Sequence, residues 1–142
     1  MNTDQSSKRS KVLFLCTGNS CRSQMAEAII NARFSKTWQA FSAGTKPAGY
    51  VHPLAIKALD EIGIQHDGQS KHADAFKGEH FDLVITVCDS AAEECPLWLG
   101  KGKKIHHSFF DPATTNDMSD FREVRDAMLV ILPALLSGSL ET

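Results

Sequence analysis

The sequence predicts an α/β fold: a single three-layer domain with a four-stranded parallel sheet flanked by helices. Three observations point to it. Four short apolar runs of strand character are spread along the 142 residues. Stretches with apolar residues at helical spacing alternate with them, and clusters of turn formers separate the two kinds. No internal repeat or linker interrupts this pattern. One domain over residues 11–142 is therefore expected, preceded by a flexible polar extension at 1–10.

Residues 11–16 (KVLFLC) suit a strand buried on both faces. Turn formers follow in TGNSCRS, and Met25, Ala28, Ile29 and Ala32 then recur at helical spacing through about Phe34. Residues 39–44 form a second strand ending at a glycine. Pro53 suits a first helical position, Ile56, Leu59 and Ile62 form a stripe, and Gly63 stops that helix. Residues 72–77 read as a short helix. Residues 81–87 (FDLVITV) are the most strand-like run, and Cys88 follows them. One helical turn is assigned to 90–94, before Cys95 and Pro96. Residues 103–110 are the fourth strand, ending at Asp111 and Pro112. Asp117 or Ser119 caps a last helix with Phe121, Val124, Met128, Ile131, Leu132 and Leu135 on its apolar face. Pro133 is expected to kink or shorten that helix.

A net charge of −2 and 23% charged residues, with no basic stripe, give no support to a nucleic-acid or anionic-membrane partner. A bound anion must be held by a local site. The first ten residues lack the apolar core of a signal peptide, and the run from Val12 to Leu15 is far too short to span a bilayer. A cytoplasmic location is expected. Thiols stay reduced there, so four cysteines argue for chemistry or metal rather than structural disulfides.

In open parallel sheets, ligands bind beyond the carboxyl ends of the strands. Cys16, Cys88 and Asp111 each fall at such an end, so the fold gathers them on one rim. Between Cys16 and Arg22 lie Thr17, Gly18, Asn19, Ser20 and Cys21, a loop able to curl its N–H groups onto one anion. Gly18 and Asn19 tolerate left-handed backbone angles, and the helix that follows adds its positive N-terminal field. Arg22 offers a planar pair of donors to two oxygens of a tetrahedral oxyanion. The same field favours the thiolate of Cys16, to which Ser23 is a suitable hydroxyl donor.

Cys88 and Cys95 flank DSAAEE, a small acidic segment that rearranges cheaply. With Cys88 in reach of Cys16, it attacks a Cys16 adduct, and Cys95 then attacks Cys88 and carries the disulfide outward. The rival readings are incidental buried cysteines, or a zinc site drawing on His106 and His107. The Cys16/Cys21 and Cys88/Cys95 spacings do not match the usual short zinc knuckle, and no metal is expected. Asp111-Pro112 reads either as an ordinary turn or as a general acid on a stiffened loop.

LFLCTGNSCRSQMAE at 13–27 closely resembles the nucleophile loop of the low-molecular-weight protein tyrosine phosphatase superfamily. Within it, the chain is most similar to the thioredoxin-coupled arsenate reductases. Further matches are FSAG at 41–44, VHPLAIKAL at 51–59, DLVITVCDSAAEECP at 82–96, and FFDPA followed by FREVRD over 109–126. The resemblance implies that Cys16 attacks arsenate held by the loop and Arg22, while Asp111 assists loss of water. Cys88 then displaces arsenite to leave a Cys16–Cys88 disulfide, Cys95 converts it to Cys88–Cys95, and thioredoxin reopens that bond. It further implies that phosphate and sulfate act as analogues, that no cofactor is required, and that Cys21 is a loop member without a redox role.

Some members of the superfamily hold a potassium ion beside the loop through an asparagine, a glutamate, a serine and an aspartate. The first three correspond to Asn19, Glu27 and Ser42, whereas Lys71 stands at the aspartate position. The Lys71 ammonium is expected to take the ion's place and steady Asn19 directly, the other reading being a solvated surface lysine. The alternative activity is an aryl or tyrosine phosphatase working through a phosphocysteine. Tyrosine phosphatases of this fold carry tyrosines beside the Asp-Pro acid. Here Ala113, Thr114 and Thr115 follow it, and the only tyrosine is Tyr50.

Overall fold

Four strands pair into one sheet, β1 (Ser10–Cys16), β2 (Trp38–Gly44), β3 (Leu83–Thr86) and β4 (Lys103–His106), in the order β2-β1-β3-β4 with every pairing parallel. The computed structural model describes residues 9–88 and 102–138. The expected turn at 90–94, Cys95, and most of the polar extension lie outside the described residues. Three α-helices complete the described fold: α1 (Arg22–Arg33), α2 (Pro53–Asp60) and α3 (Met118–Ser137). None is long and apolar enough to cross a membrane among the described residues.

Side-chain alternation divides the sheet. Val12, Phe14 and Cys16 face the helices and join Met25, Ile29, Leu59, Phe121, Met128 and Leu132 in the main core. Leu13, Leu15, Ala43, Phe81 and Val84 face the other way, where a 3₁₀ turn (Ala73–Phe76) supplies the third layer among the described residues. There Phe41, Phe76 and Phe81 meet edge to face, with centroids 5.6–5.7 Å apart. β1 is therefore buried on both faces, as its unbroken apolar run requires.

The chain leaves β1 toward β2 on one side and later returns to β3 on the other. The carboxyl ends of β1 and β3 consequently flank the switch point of the sheet, where the connections part and a crevice opens. Fold topology alone thus places Cys16 and Cys88 beside one crevice.

The local signals explain the remaining boundaries. His52 caps α2 through Nδ1, which accepts from Leu54 N–H at 3.1 Å, and Pro53 holds the first helical position. Asp117, rather than Ser119, caps α3. The fourth strand stops at His106 instead of Phe110, although N–H bonds from His107 and Phe109 continue to Thr86 and Val87. Pro133 does not shorten α3, which runs on to Ser137. The loss of about 3 kcal/mol at an interior proline is offset by Leu132 and Leu135, each worth about 1.5–3 kcal/mol on burial. Arg122 and Arg125 on α3 clamp Glu61 beyond the end of α2 and hold its carboxyl down at about 2.

Candidate active site

The loop from Cys16 to Arg22 leaves β1 and runs directly into α1. Its carbonyls are tied down from outside. Thr17 O accepts from Lys46 N–H and Gly18 O from Ala48 N–H, both at 2.9 Å, while Ser20 O accepts from His52 N–H at 3.0 Å. Asn19 O accepts from Gln24 Nε2 at 3.2 Å. A planar peptide sets its N–H opposite its C=O, so carbonyls pulled outward turn amide N–H groups toward the concave side. Asn19 takes φ 47°, the left-handed angle that closes the curl. Cys21, at the N-cap of α1, makes no side-chain cap, and no acidic residue occupies the first turn. The positive field of the helix start is directed at the loop, where it favours an anion.

Gly44, at the end of β2, makes room for this curl. A Cβ there would lie 2.4 Å from Thr17 O and 2.7 Å from Cys16 O. The demand is for space, not for an unusual backbone angle.

Cys16 is 2% exposed, and its sulfur lies 2.9 Å from Ser23 Oγ. The surrounding network sets the direction of that bond. Asn19 Oδ1 accepts from Lys71 N–H at 2.8 Å and from Gln24 Nε2 at 3.0 Å. The Asn19 amide nitrogen must then be the group that donates to Ser23 Oγ, at 2.9 Å. The Ser23 proton is left to donate to the Cys16 sulfur. At Cys21, burial first, then the negative charges of Asp111 and Cys16, push the thiol up to about 12, so it stays protonated.

Arg22, 4% exposed, donates to Phe109 O at 3.3 Å and lies 3.4 Å from Asp111 Oδ2. Asp111 Oδ1 accepts from Ala113 N–H at 3.1 Å, which fixes the carboxylate at the mouth of a cleft of about 200 Å³. Cys16, Arg22 and Asp111 line this cleft together, and Tyr50 and His52 form walls that sequence reading had not assigned to the site. A tetrahedral oxyanion entering here meets a nucleophilic sulfur, a guanidinium and a carboxyl group.

The sequence profile of the low molecular weight phosphotyrosine protein phosphatase family matches residues 11–140. The chain belongs to this family. The arsenate reductase of Shouchella clausii is 40% identical over 123 residues, covering 81% of this chain and 86% of the relative. The crystal structure of the arsenate reductase from Archaeoglobus fulgidus is 29% identical with a TM-score of 0.78, over 89% of this chain and 98% of that one. An arsenate reductase solved in a phosphate-binding state is 29% identical with a TM-score of 0.79, over 91% of this chain and 98% of that one.

Against the family pattern, the surroundings of Asn19 differ from expectation. Lys71 does reach Asn19, but through its main-chain N–H, while its ammonium donates to Gln69 O at 2.7 Å. The reason lies in the backbone. Lys71 O accepts from Gly44 N–H, so the chain at 71 runs alongside the end of β2 and presents its amide to the loop. The residues do not fit a potassium ion. Asn19 Oδ1 already accepts two hydrogen bonds, the Glu27 carboxylate takes the Ser42 hydroxyl, and at the fourth position Lys71 presents a main-chain N–H donor in place of a carboxylate.

Cys88 follows β3 and is fully buried in the same apolar cluster as Cys16. It is disulfide-bonded, whereas Cys16 and Cys21 are free thiols. Cys95 lies outside the described residues. The two histidines are otherwise engaged: His106 Nδ1 bonds Thr86 Oγ1 at 2.6 Å, and the His107 ring packs on Phe109. Sequence reading also missed Ser70, whose hydroxyl donates to Gly18 O and accepts from Gly49 N–H. No motif singles out such a residue.

Proposed function

We propose that this chain reduces arsenate to arsenite through Cys16, Cys88 and Cys95, with thioredoxin restoring the thiols. One observation carries the reading beyond the family. Cys88 is held in a disulfide while the nucleophile Cys16 is free, which is the thiol pattern such a relay leaves at its end. The relatives named as arsenate reductases support the same activity.

The steps balance as follows. The Cys16 thiolate attacks arsenic within the cradle, and an As–O bond breaks. Asp111, having taken up the proton that the Cys16 thiol gives up, passes it to the departing oxygen, so water leaves and an S–As bond remains. The Cys88 thiolate attacks Cys16 Sγ, forming the S–S bond. The S–As electron pair passes to arsenic, which departs as arsenite, and two thiols have supplied two electrons. Cys95 attacks Cys88, the Cys16 thiolate is released, and thioredoxin reduces the Cys88–Cys95 bond. β1 and β3 are neighbours, with Leu15 opposite Thr86 and Val87 N–H bonded to Leu15 O. Cys16 and Cys88 share one buried cluster at or just beyond these strand ends, and the relay needs their Cα atoms to come within the roughly 7 Å that a disulfide allows. The cytosol is the reducing compartment this cycle needs.

A phosphatase reading keeps one specific support. Tyr50, 57% exposed on the cleft wall, offers a ring surface to an aryl ester. The assay that separates the two supplies thioredoxin, its reductase and NADPH with arsenate, and in parallel an aryl phosphate. Arsenate-dependent NADPH oxidation is expected in the wild type and absent in Cys88→Ser, with any aryl-phosphate hydrolysis surviving. Hydrolysis without arsenate turnover in the wild type would replace the reductase by the phosphatase.

A further inference from the structure

Gln24, on the first turn of α1, is fully buried yet polar. Its Nε2 faces three oxygens: Asn19 O at 3.2 Å, Asn19 Oδ1 at 3.0 Å and Gln69 O at 2.8 Å. Its Oε1 meets His66 Nε2 at 2.7 Å. Turning the amide over would set its oxygen against three acceptors, so the orientation is unique. Gln24 donates to the three oxygens, and His66 Nε2 carries a proton and donates to Gln24. Gly68 leaves the space for this contact, because a Cβ there would lie 2.2 Å from His66 Nε2 and 2.4 Å from Gln24 Oε1.

We propose that His66 is a positioning residue of the oxyanion cradle, acting through Gln24. Its N–H selects the Gln24 amide orientation that pulls the Asn19 carbonyl outward and fixes the Asn19 side chain. Asn19 in turn directs the Ser23 hydroxyl onto the Cys16 sulfur. His66 thus stands four hydrogen bonds from the nucleophile, in a loop 50 residues along the chain. Burial holds its imidazole below the usual value, Glu27 and Asp67 opposing and Lys71 adding to the effect. Both the neutral Nε2–H tautomer and the imidazolium keep the donor in place. The inference rests on reading the loop as an oxyanion cradle and holds for reductase and phosphatase alike.

The test compares His66→Leu, which keeps bulk without the donor, with His66→Gln, whose amide nitrogen falls where Nε2 was. Inorganic phosphate is titrated calorimetrically into each reduced protein, at a temperature where circular dichroism shows all to be folded. His66→Leu is expected to bind phosphate about 3- to 10-fold more weakly and to raise KM for arsenate by a similar factor, the effect of one lost hydrogen bond. His66→Gln should stay within about twofold of wild type. Gln24→Leu, which removes the amide that contacts Asn19 itself, should weaken binding at least as much as His66→Leu, and the double variant should be no weaker than Gln24→Leu, because His66 acts through Gln24. Wild-type affinity in His66→Leu, or equal weakening in His66→Gln, overturns the proposal while leaving the cradle intact. A wild type that binds no phosphate overturns the cradle itself.

Discussion

Replacing Cys16 by serine is expected to abolish arsenate reduction and aryl-phosphate hydrolysis together, by at least ~10³-fold in turnover. A serine hydroxyl at the end of β1 is a far weaker nucleophile than a cysteine sulfur, so no competent nucleophile remains. Phosphate binding should survive, because the loop N–H groups and Arg22 are untouched. Loss of turnover with retained phosphate affinity, measured by calorimetry, separates missing chemistry from a collapsed cradle.

The second large effect is expected at Gly44, a residue that touches no substrate. The Cβ of Gly44→Ala would enter at 2.4 Å from Thr17 O, 2.7 Å from Cys16 O and 3.0 Å from Asn19 N. All three are main-chain atoms of the loop and cannot rotate away. The loop must shift, and its amides lose their common focus. Phosphate affinity is expected to fall more than ~10-fold and stability by about 1–3 kcal/mol, the usual range for a group forced into packed surroundings. Denaturant melting and phosphate titration read the two effects separately. Gly63 makes a useful contrast, since nothing lies within 4 Å of a Cβ there and only its φ of 81° opposes substitution. Gly63→Ala should therefore lower stability without moving phosphate affinity.

The legible parts of this chain are those in which one residue type admits few roles. A thiol and a guanidinium bracketing a turn-rich loop, between an apolar run and a helical stripe, mark a candidate cradle in the sequence itself. The central strands follow from apolar runs suited to burial on two faces, whereas β4, with Lys103, Lys104 and His106 exposed around buried Ile105, carries a much weaker signal. What stays hidden depends on direction rather than identity. Lys71 lies beside Asn19, but a sequence does not say that its amide, not its ammonium, faces the loop. Gln24 and His66 lie 42 residues apart and carry no mutual pattern. Their contact exists only because Gly68 leaves room for it. Helix length past Pro133 is hidden for a related reason: local propensity argues for an earlier end, and the helix runs on to Ser137 with Leu132 and Leu135 buried.

The central claim is that an oxyanion held over Cys16 draws electrons from Cys88 and Cys95 in turn. Its most direct test is a single turnover: reduced protein is mixed with arsenate in the absence of thioredoxin, quenched with an alkylating agent, and its cysteines are mapped by mass spectrometry. The account predicts one arsenite per chain, a Cys88–Cys95 disulfide, and alkylated Cys16. Arsenite formed with Cys88 and Cys95 both still alkylated would contradict it.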